Sequence, residues 1–276
     1  MDQHSLPPIT SGHALGGIRT FVADDLREAE VYGAKGSHRL SAVIPARDEG
    51  ETITSVIEAI RPHLSGCGGG LLDEIVVVDD GSTDDTASRA AHAGARVITA
   101  GGQGGKGAAM AHGIAEASGD IIVFLDADVV NTSSDYIVRL AGPILLHPEI
   151  ALVKGFYERP IANQATGGGR VTELTARPAL QLLFPALASV AQPLAGETAV
   201  RREVFDRISL DEGYRVEMGL LLDVAAHYGT EAIAQVDLGV RVHRNRPLSE
   251  LGPMAVEVLA AALERFDSGR GEIRPD

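Results

Sequence analysis

The chain has 276 residues, a formal net charge of -14 and a 45% apolar fraction in which aromatics reach only 4% and Trp is absent. Such a length carries a full core, here built from Ala, Val, Leu and Ile. The acidity argues against broad binding to nucleic acid or anionic lipid, so a phosphate-bearing substrate would need local cations or a metal. The single cysteine, Cys67, excludes an internal disulfide and suits a reducing, cytoplasmic setting.

Residues 1–37 are polar, Gly-rich and weakly patterned, and read as an N-terminal extension without a signal-peptide pattern. The first strand is Leu40-Ser41-Ala42-Val43-Ile44, stopped by Pro45, and a helix follows over 51–63 with Ile53, Val56, Ile57 and Ile60 at helical spacing. The apolar run over 74–78 suits a strand of a parallel sheet covered on both faces. It ends at Asp79-Asp80-Gly81-Ser82, and Thr83 or Asp84 caps a helix reaching about Ala93. A short strand over 96–99, a glycine-rich stretch from Gly101 to Gly107, a helix over 108–117 and a strand over 120–125 complete a β-α-β-α-β alternation, hence an α/β fold with a largely parallel sheet. Beyond residue 150 the pattern predicts a strand over 151–156, helices over 172–190 and 217–227, an extended segment over 232–242 and an amphipathic helix over 249–266. The uncharged stretch Pro178–Gly196 contains Pro185 and Pro193 and reads as a buried, broken helix rather than a membrane span.

In open α/β sheets ligands bind beyond the carboxyl ends of the strands. Three successive strands here end in polar clusters: Pro45-Ala46-Arg47-Asp48-Glu49, Asp79-Asp80-Gly81-Ser82 and Asp126-Ala127-Asp128. Paired carboxylates at a strand end suit Mg²⁺ or Mn²⁺ holding a diphosphate. The Asp79–Ser82 cluster suits a ribose or base, or an ordinary strand-to-helix turn. Lys106 in its glycine-rich stretch either reaches a phosphate or sits in a flexible loop, and the stretch fits neither a P-loop nor a dinucleotide fingerprint. Gly167-Gly168-Gly169-Arg170 ahead of a helix makes an anion site or a glycine hinge. Alternation puts Arg241, His243 and Asn245 on one face, where His243 is either a further metal ligand or structural.

Taken together, Val43–Glu49, Val77–Asp84 and Asp126–Asp128 resemble a GT-A glycosyltransferase of the family 2 type. Val153–Tyr157, Gly168–Leu174, Gln192–Glu197 and His243–Asn245 narrow the resemblance to the family of glucosyl-3-phosphoglycerate synthases. The similarity covers about residues 38–255, with Thr198 and Val200 departing from the family pattern. It implies a GT-A (Rossmann-like) fold with a nucleotide-sugar-binding part over 38–150 and a smaller acceptor-binding part over 151–276. It implies that Ala46, Asp48, Glu49 and Asp80 hold uridine, that Lys106 and Arg241 lie near the diphosphate and that Glu217 contacts the donor glucose. Pro45, Arg47, Ser82, Asp126 and Ala127 complete the donor site. Asp128 and His243 would bind the metal, and Gly169, Arg170, Val171, Thr172 and Asn245 the phosphoglycerate. Glu217, Arg241 and Asp128 would be catalytic.

The activity so implied is transfer of glucose from UDP-glucose to 3-phosphoglycerate with retention, dependent on Mg²⁺ or Mn²⁺, by a homodimer; the composition and charge add the expectation of a cytoplasmic protein with no nucleic-acid partner and no membrane span. Competing readings are a related glycosyltransferase with another donor or acceptor, a nucleotidyltransferase releasing pyrophosphate, and a non-enzymatic nucleotide-sugar module.

Overall fold

The computed structural model describes residues 18–65, 70–101, 104–158, 169–242 and 248–270, apart from the side chains of Leu248, Glu250 and Arg270. Cys67, Gly167, Gly168, His243 and Asn245 lie outside the described residues.

The strands are β1 (Arg19–Phe21), β2 (Leu40–Ala46), β3 (Glu74–Asp79), β4 (Arg96–Thr99), β5 (Ile121–Phe124), β6 (Leu152–Glu158), β7 (Thr198–Arg201) and β8 (Ile233–Val240). They form one sheet in the order β1-β8-β6-β7-β5-β2-β3-β4. Only β7 runs against its neighbours, β5 and β6, and every other pairing is parallel. The expectation of a largely parallel sheet therefore holds. Because β7 is reversed, its amino end joins the rim at which β2, β3, β5 and β8 end.

The helices are α1 (Glu28–Ala34), α2 (Ile53–Ile60), α3 (Thr86–His92), α4 (Gly105–Glu116), α5 (Asp135–Leu146), α6 (Arg177–Leu183), α7 (Val216–Tyr228) and α8 (Leu248–Arg265). Alternation along β2 sends Leu40, Ala42 and Ile44 into a core shared with α2 and α5, and Val43 into a second core shared with α4 and α7. Both faces of the sheet are thus covered, as the unbroken apolar runs require.

Several elements differ from expectation for identifiable reasons. From residue 18 the segment read as an extension is part of the body: β1 pairs with β8, and Leu26 and Val31 pack against Gly142 of α5, where a Cβ would meet them at 3.0 and 3.1 Å. Helix α3 starts later than expected, at Thr86, and Asp84 serves it from outside by accepting from the Thr86 amide at 2.9 Å. Helix α4 starts earlier, inside the glycine stretch, after Gly104 at φ 92°. The expected helix over 172–190 stops at Leu183, since Phe184 precedes Pro185 and is driven out of the helical region (φ -136°, ψ 66°). Among the described residues no helix is long and apolar enough to cross a membrane.

Candidate active site

Beyond the carboxyl ends of the strands lies a cleft of about 940 Å³, of the size that takes a small-molecule ligand. It gathers residues from every predicted cluster.

The first wall is the turn after β2. Pro45, Ala46, Arg47, Asp48 and Glu49 all line the cleft. Asp48 adopts φ 54°, an uncommon conformation for a residue with a side chain. The turn after β3 holds it there: the Asp48 amide donates to Ser82 Oγ at 3.0 Å, and Asp48 Oδ1 accepts from the Thr83 amide at 2.7 Å. Hydrogen bonds from Thr83, backbone first and side chain second, keep the Asp48 carboxyl below its ordinary range. The Glu49 amide donates to Thr86 Oγ1 at 2.8 Å, and the Asp80 amide to Ala46 O at 2.9 Å. Asp80 lines the cleft; Ser82 does not, and acts instead as the brace for Asp48.

The floor is a dense ion network. Lys106, from the first turn of α4, lies 2.6 Å from Asp126 Oδ1 and 2.7 Å from Glu217 Oε1. Burial opposes a charge on Lys106, but the attraction of Asp126 and then Glu217 prevails and holds its pKa above the ordinary lysine range. Burial likewise opposes ionisation of Asp126, and Lys106 and Arg241 overcome it, so its carboxyl stays ionised far into acid. Glu217 sits in the first turn of α7, where the helix dipole favours an acidic residue.

Arg241, just past β8 and 3% exposed, is the hub. One guanidinium nitrogen donates to Tyr157 Oη at 2.5 Å and to Glu197 Oε2 at 2.8 Å. The other donates to Asp126 Oδ2 at 2.8 Å and Asp128 Oδ1 at 3.0 Å. The guanidinium carbon also stands 4.9 Å from the Tyr157 ring centroid. Glu197 immediately precedes β7, so the reversal of that strand is what delivers its carboxylate to the rim. The backbone between Leu194 and Glu197 is pressed against the network: a Cβ on Gly196 would meet Asp126 Oδ1 at 2.0 Å and Lys106 Nζ at 2.6 Å. Buried Lys154 of β6 donates to Ala195 O at 2.6 Å and fixes that segment from behind. Desolvation pulls its pKa down to about 8, partly countered by Glu217.

The opposite side of the cleft is the helical run from residue 170 into α6. Gly169 (φ 77°), Arg170, Val171 and Thr172 line it, and the Glu173 amide donates to Gly169 O at 3.0 Å as the first helical bond. First-turn amides lack intrahelical acceptors and suit an anion. Sequence reasoning missed the third wall, formed by Glu212, Gly213, Tyr214 and Arg215 with Leu251, Met254, Glu257 and Val258 of α8. The Tyr214 amide donates to Glu257 Oε2 at 2.7 Å. Gly107 of α4 packs on the same loop, where a Cβ would fall 1.8 Å from Asp211 O.

The donor set suits a hard divalent cation. Asp126 has an ion pair on each oxygen, whereas Asp128 gives Oδ1 to Arg241 and its side chain remains 29% exposed to the cleft. Among the described residues no group of three His, Cys, Asp or Glu side chains forms a ready-made cage. An ion such as Mg²⁺ keeps waters and shares its shell with substrate phosphate oxygens, so a carboxylate open to the cleft, as at Asp128, suits it.

Sheet, carboxylate rim and cleft together define a glycosyltransferase of the GT-A type. Residues 41–208 match the family model described as glycosyl transferase family 2. The glucosyl-3-phosphoglycerate synthase of Mycolicibacterium smegmatis is 46% identical over 257 residues, 88% of this chain and 84% of that protein. The crystal structure of the Mycobacterium tuberculosis enzyme with Mn²⁺, UDP-glucose and phosphoglyceric acid superposes with a TM-score of 0.81 at 44% identity, covering 95% of this chain and 89% of that one. The structure of that enzyme with Mg²⁺ and UDP gives 0.82 at 44% identity, covering 90% and 86%. The chain belongs to glycosyl transferase family 2 and, within it, to the glucosyl-3-phosphoglycerate synthase family.

Proposed function

We propose that the chain transfers glucose from UDP-glucose to the 2-hydroxyl of 3-phosphoglycerate, with Mg²⁺ or Mn²⁺ as cofactor. The observation that carries this reading is the single cleft onto which both the Lys106–Asp126–Asp128–Arg241 floor and the Arg170 helix start open. The Mycobacterium tuberculosis relative holds UDP-glucose, phosphoglyceric acid and Mn²⁺ together in one crystal structure. Residues 38–150 supply the uridine side and residues 151–276 the acceptor side, with Glu217 and Arg241 crossing over to the donor.

In this reading Asp48, Glu49 and Asp80 hold the uridine, Lys106 and Arg241 face the diphosphate, and Glu217 orients the glucose. Arg170 pairs with an anionic group of the acceptor, and Val171, Thr172 and Asn245 complete that subsite. Asp128, with His243, holds the cation, which when bound neutralises charge on the leaving diphosphate. The bond from glucose C1 to the phosphate oxygen breaks and the bond from C1 to the acceptor oxygen forms on the same face. The acceptor proton leaves on the departing UDP. No carboxylate is assigned as a covalent nucleophile, so the residues act by positioning and electrostatics.

The test is mass analysis of products from UDP-glucose, Mg²⁺ and 3-phosphoglycerate, with GDP-glucose as a parallel donor. Glucosylated phosphoglycerate with stoichiometric UDP is expected, its anomeric configuration matching the donor's. Pyrophosphate release would instead mark a nucleotidyltransferase. UDP release only with some other acceptor would mark a relative with different specificity.

The homodimer assignment has support in an apolar surface. Val256, Leu259, Leu263 and Phe266 recur at helical spacing along α8 and its extension, and all are exposed. Leu174 and Leu182 are exposed on the neighbouring helical run, at 76% and 80%, and Phe266 packs edge-on against Phe184 of that run at 6.2 Å. Exposed apolar side chains on neighbouring helices suit a second copy of the chain. Leu182→Glu combined with Leu259→Glu should turn a dimer into a monomer in light scattering, and an unchanged mass would remove this face from the interface. The chemistry of both substrates and the lone cysteine support a cytoplasmic setting.

A further inference from the structure

Arg241 does more than face the cleft: its guanidinium nitrogen bridges Asp126 Oδ2 at 2.8 Å and Asp128 Oδ1 at 3.0 Å. That is a cation shared between the two carboxylates of the Asp126-Ala127-Asp128 triplet. Its other nitrogen is anchored to buried Glu197 and Tyr157, so the guanidinium is presented by a rigid support. The surrounding charges are nearly balanced. Lys106, Lys154 and Arg241 face Asp126, Asp128, Glu197 and Glu217, which leaves the cluster one negative charge from neutrality.

We infer that Arg241 is a built-in counter-cation of the Asp126–Asp128 pair, which makes uptake of the divalent metal conditional on the donor's diphosphate. This rests on the donor-site reading above. A divalent ion alone must compete with a guanidinium already seated on Asp128 and would leave the cluster with excess positive charge. A diphosphate alone would add two negative charges as the nucleotide-sugar, or nearly three as free UDP, to a cluster that is already negative. The metal–diphosphate pair adds no net charge with the nucleotide-sugar and about one negative charge with UDP, less than either ligand brings alone, and the diphosphate oxygens give Arg241 a new acceptor as it releases Asp128. Uncompensated charge in a low-dielectric cleft is costly, so the two ligands should bind with strong positive coupling. Glu197 and Tyr157 are then positioning residues, since they set where the guanidinium rests.

The test is Mn²⁺ uptake, read from loss of the free-ion electron paramagnetic resonance signal, with and without saturating UDP. For the unmodified chain, Mn²⁺ should bind at least tenfold more tightly with UDP than alone. The double substitution Glu197→Gln with Arg241→Gln removes one charge of each sign, leaves the cluster's net charge unchanged and avoids a stranded buried carboxylate. It should bind Mn²⁺ alone at least tenfold more tightly than the unmodified chain, with a correspondingly smaller gain from UDP. Millimolar methylguanidinium should compete with Mn²⁺ in the double variant and leave the unmodified chain unaffected, an effect that a merely structural Arg241 would not produce. Equal affinity of both proteins for Mn²⁺ alone overturns the inference. Tight Mn²⁺ binding by the unmodified chain without UDP does so as well. Absence of Mn²⁺ uptake even with UDP would remove the donor site itself, a separate and recognisable failure.

Discussion

Asp128→Asn should lower the rate of glucose transfer by about a thousandfold, close to 4 kcal/mol of lost transition-state stabilisation, while the protein stays folded. The asymmetry between the two aspartates singles out Asp128. Asp126 is consumed by Lys106 on one oxygen and Arg241 on the other, so its main duty is to hold those cations. Asp128 shares only Oδ1 with Arg241 among the described contacts, and its side chain is 29% exposed. Asparagine keeps an oxygen for Arg241 but loses the charge a hard cation requires. Steady-state turnover at saturating UDP-glucose and 3-phosphoglycerate, beside a thermal melt, checks this. A variant within tenfold of the parent rate would mean that the ion is held elsewhere.

Glu197→Leu should be the most damaging single change to stability in the site, at about 3–5 kcal/mol. Glu197 is 1% exposed, and its Oε2 lies 2.8 Å from a guanidinium that is itself buried. Leucine would leave Arg241 without one of the carboxylates that balance its charge in the interior. For a chain of this size that loss corresponds to a melting temperature lower by about 10 °C. Glu197→Gln keeps an acceptor and should cost less than half as much. Calorimetry of the two variants separates the charge from the hydrogen bond. A leucine variant melting at the parent temperature would show that Arg241 finds its balance in Asp126 and Asp128 alone.

The polar rim was legible in the sequence because each of its clusters directly follows a short apolar run, and strand ends in a parallel sheet point the same way. Pro45–Glu49, Asp80 and Asp126–Asp128 all line the cleft as expected. What stayed hidden depends on contacts distant in the chain. Tyr157 and Glu197 lie 84 and 44 residues from the arginine they hold, and no local spacing encodes that meeting. Ser82 reads as a ligand residue, yet it does not line the cleft and its Oγ accepts from the Asp48 amide. Helix α5 escaped notice because Gly142 and Pro143 punctuate its pattern; Gly142 is there to admit Leu26 and Val31, and Pro143 falls in the last turn, where one lost backbone bond is tolerated. Strand β7 is short, and its reversed direction is invisible in a pattern that otherwise alternates strand and helix. The third wall was missed because α8 looks like any amphipathic helix; only its placement over the Glu212–Arg215 loop makes it part of the site.

The pairing of β1 with β8 joins Arg19 to Ala234 and Phe21 to Val236. The sheet's outer edge is therefore closed by stretches far apart in the sequence. During synthesis the earlier stretch has no partner until β8, roughly 200 residues later, has left the ribosome. Docking of that edge is a high-contact-order event, late and slow compared with the pairing of β2 with β3 and of β3 with β4, whose partners are much nearer in sequence. Until it occurs the backbone of β8 is unpaired on that side, and β8 is the strand that leads directly into Arg241. The strand that presents Arg241 thus gains its second neighbour only through the longest-range pairing in the sheet.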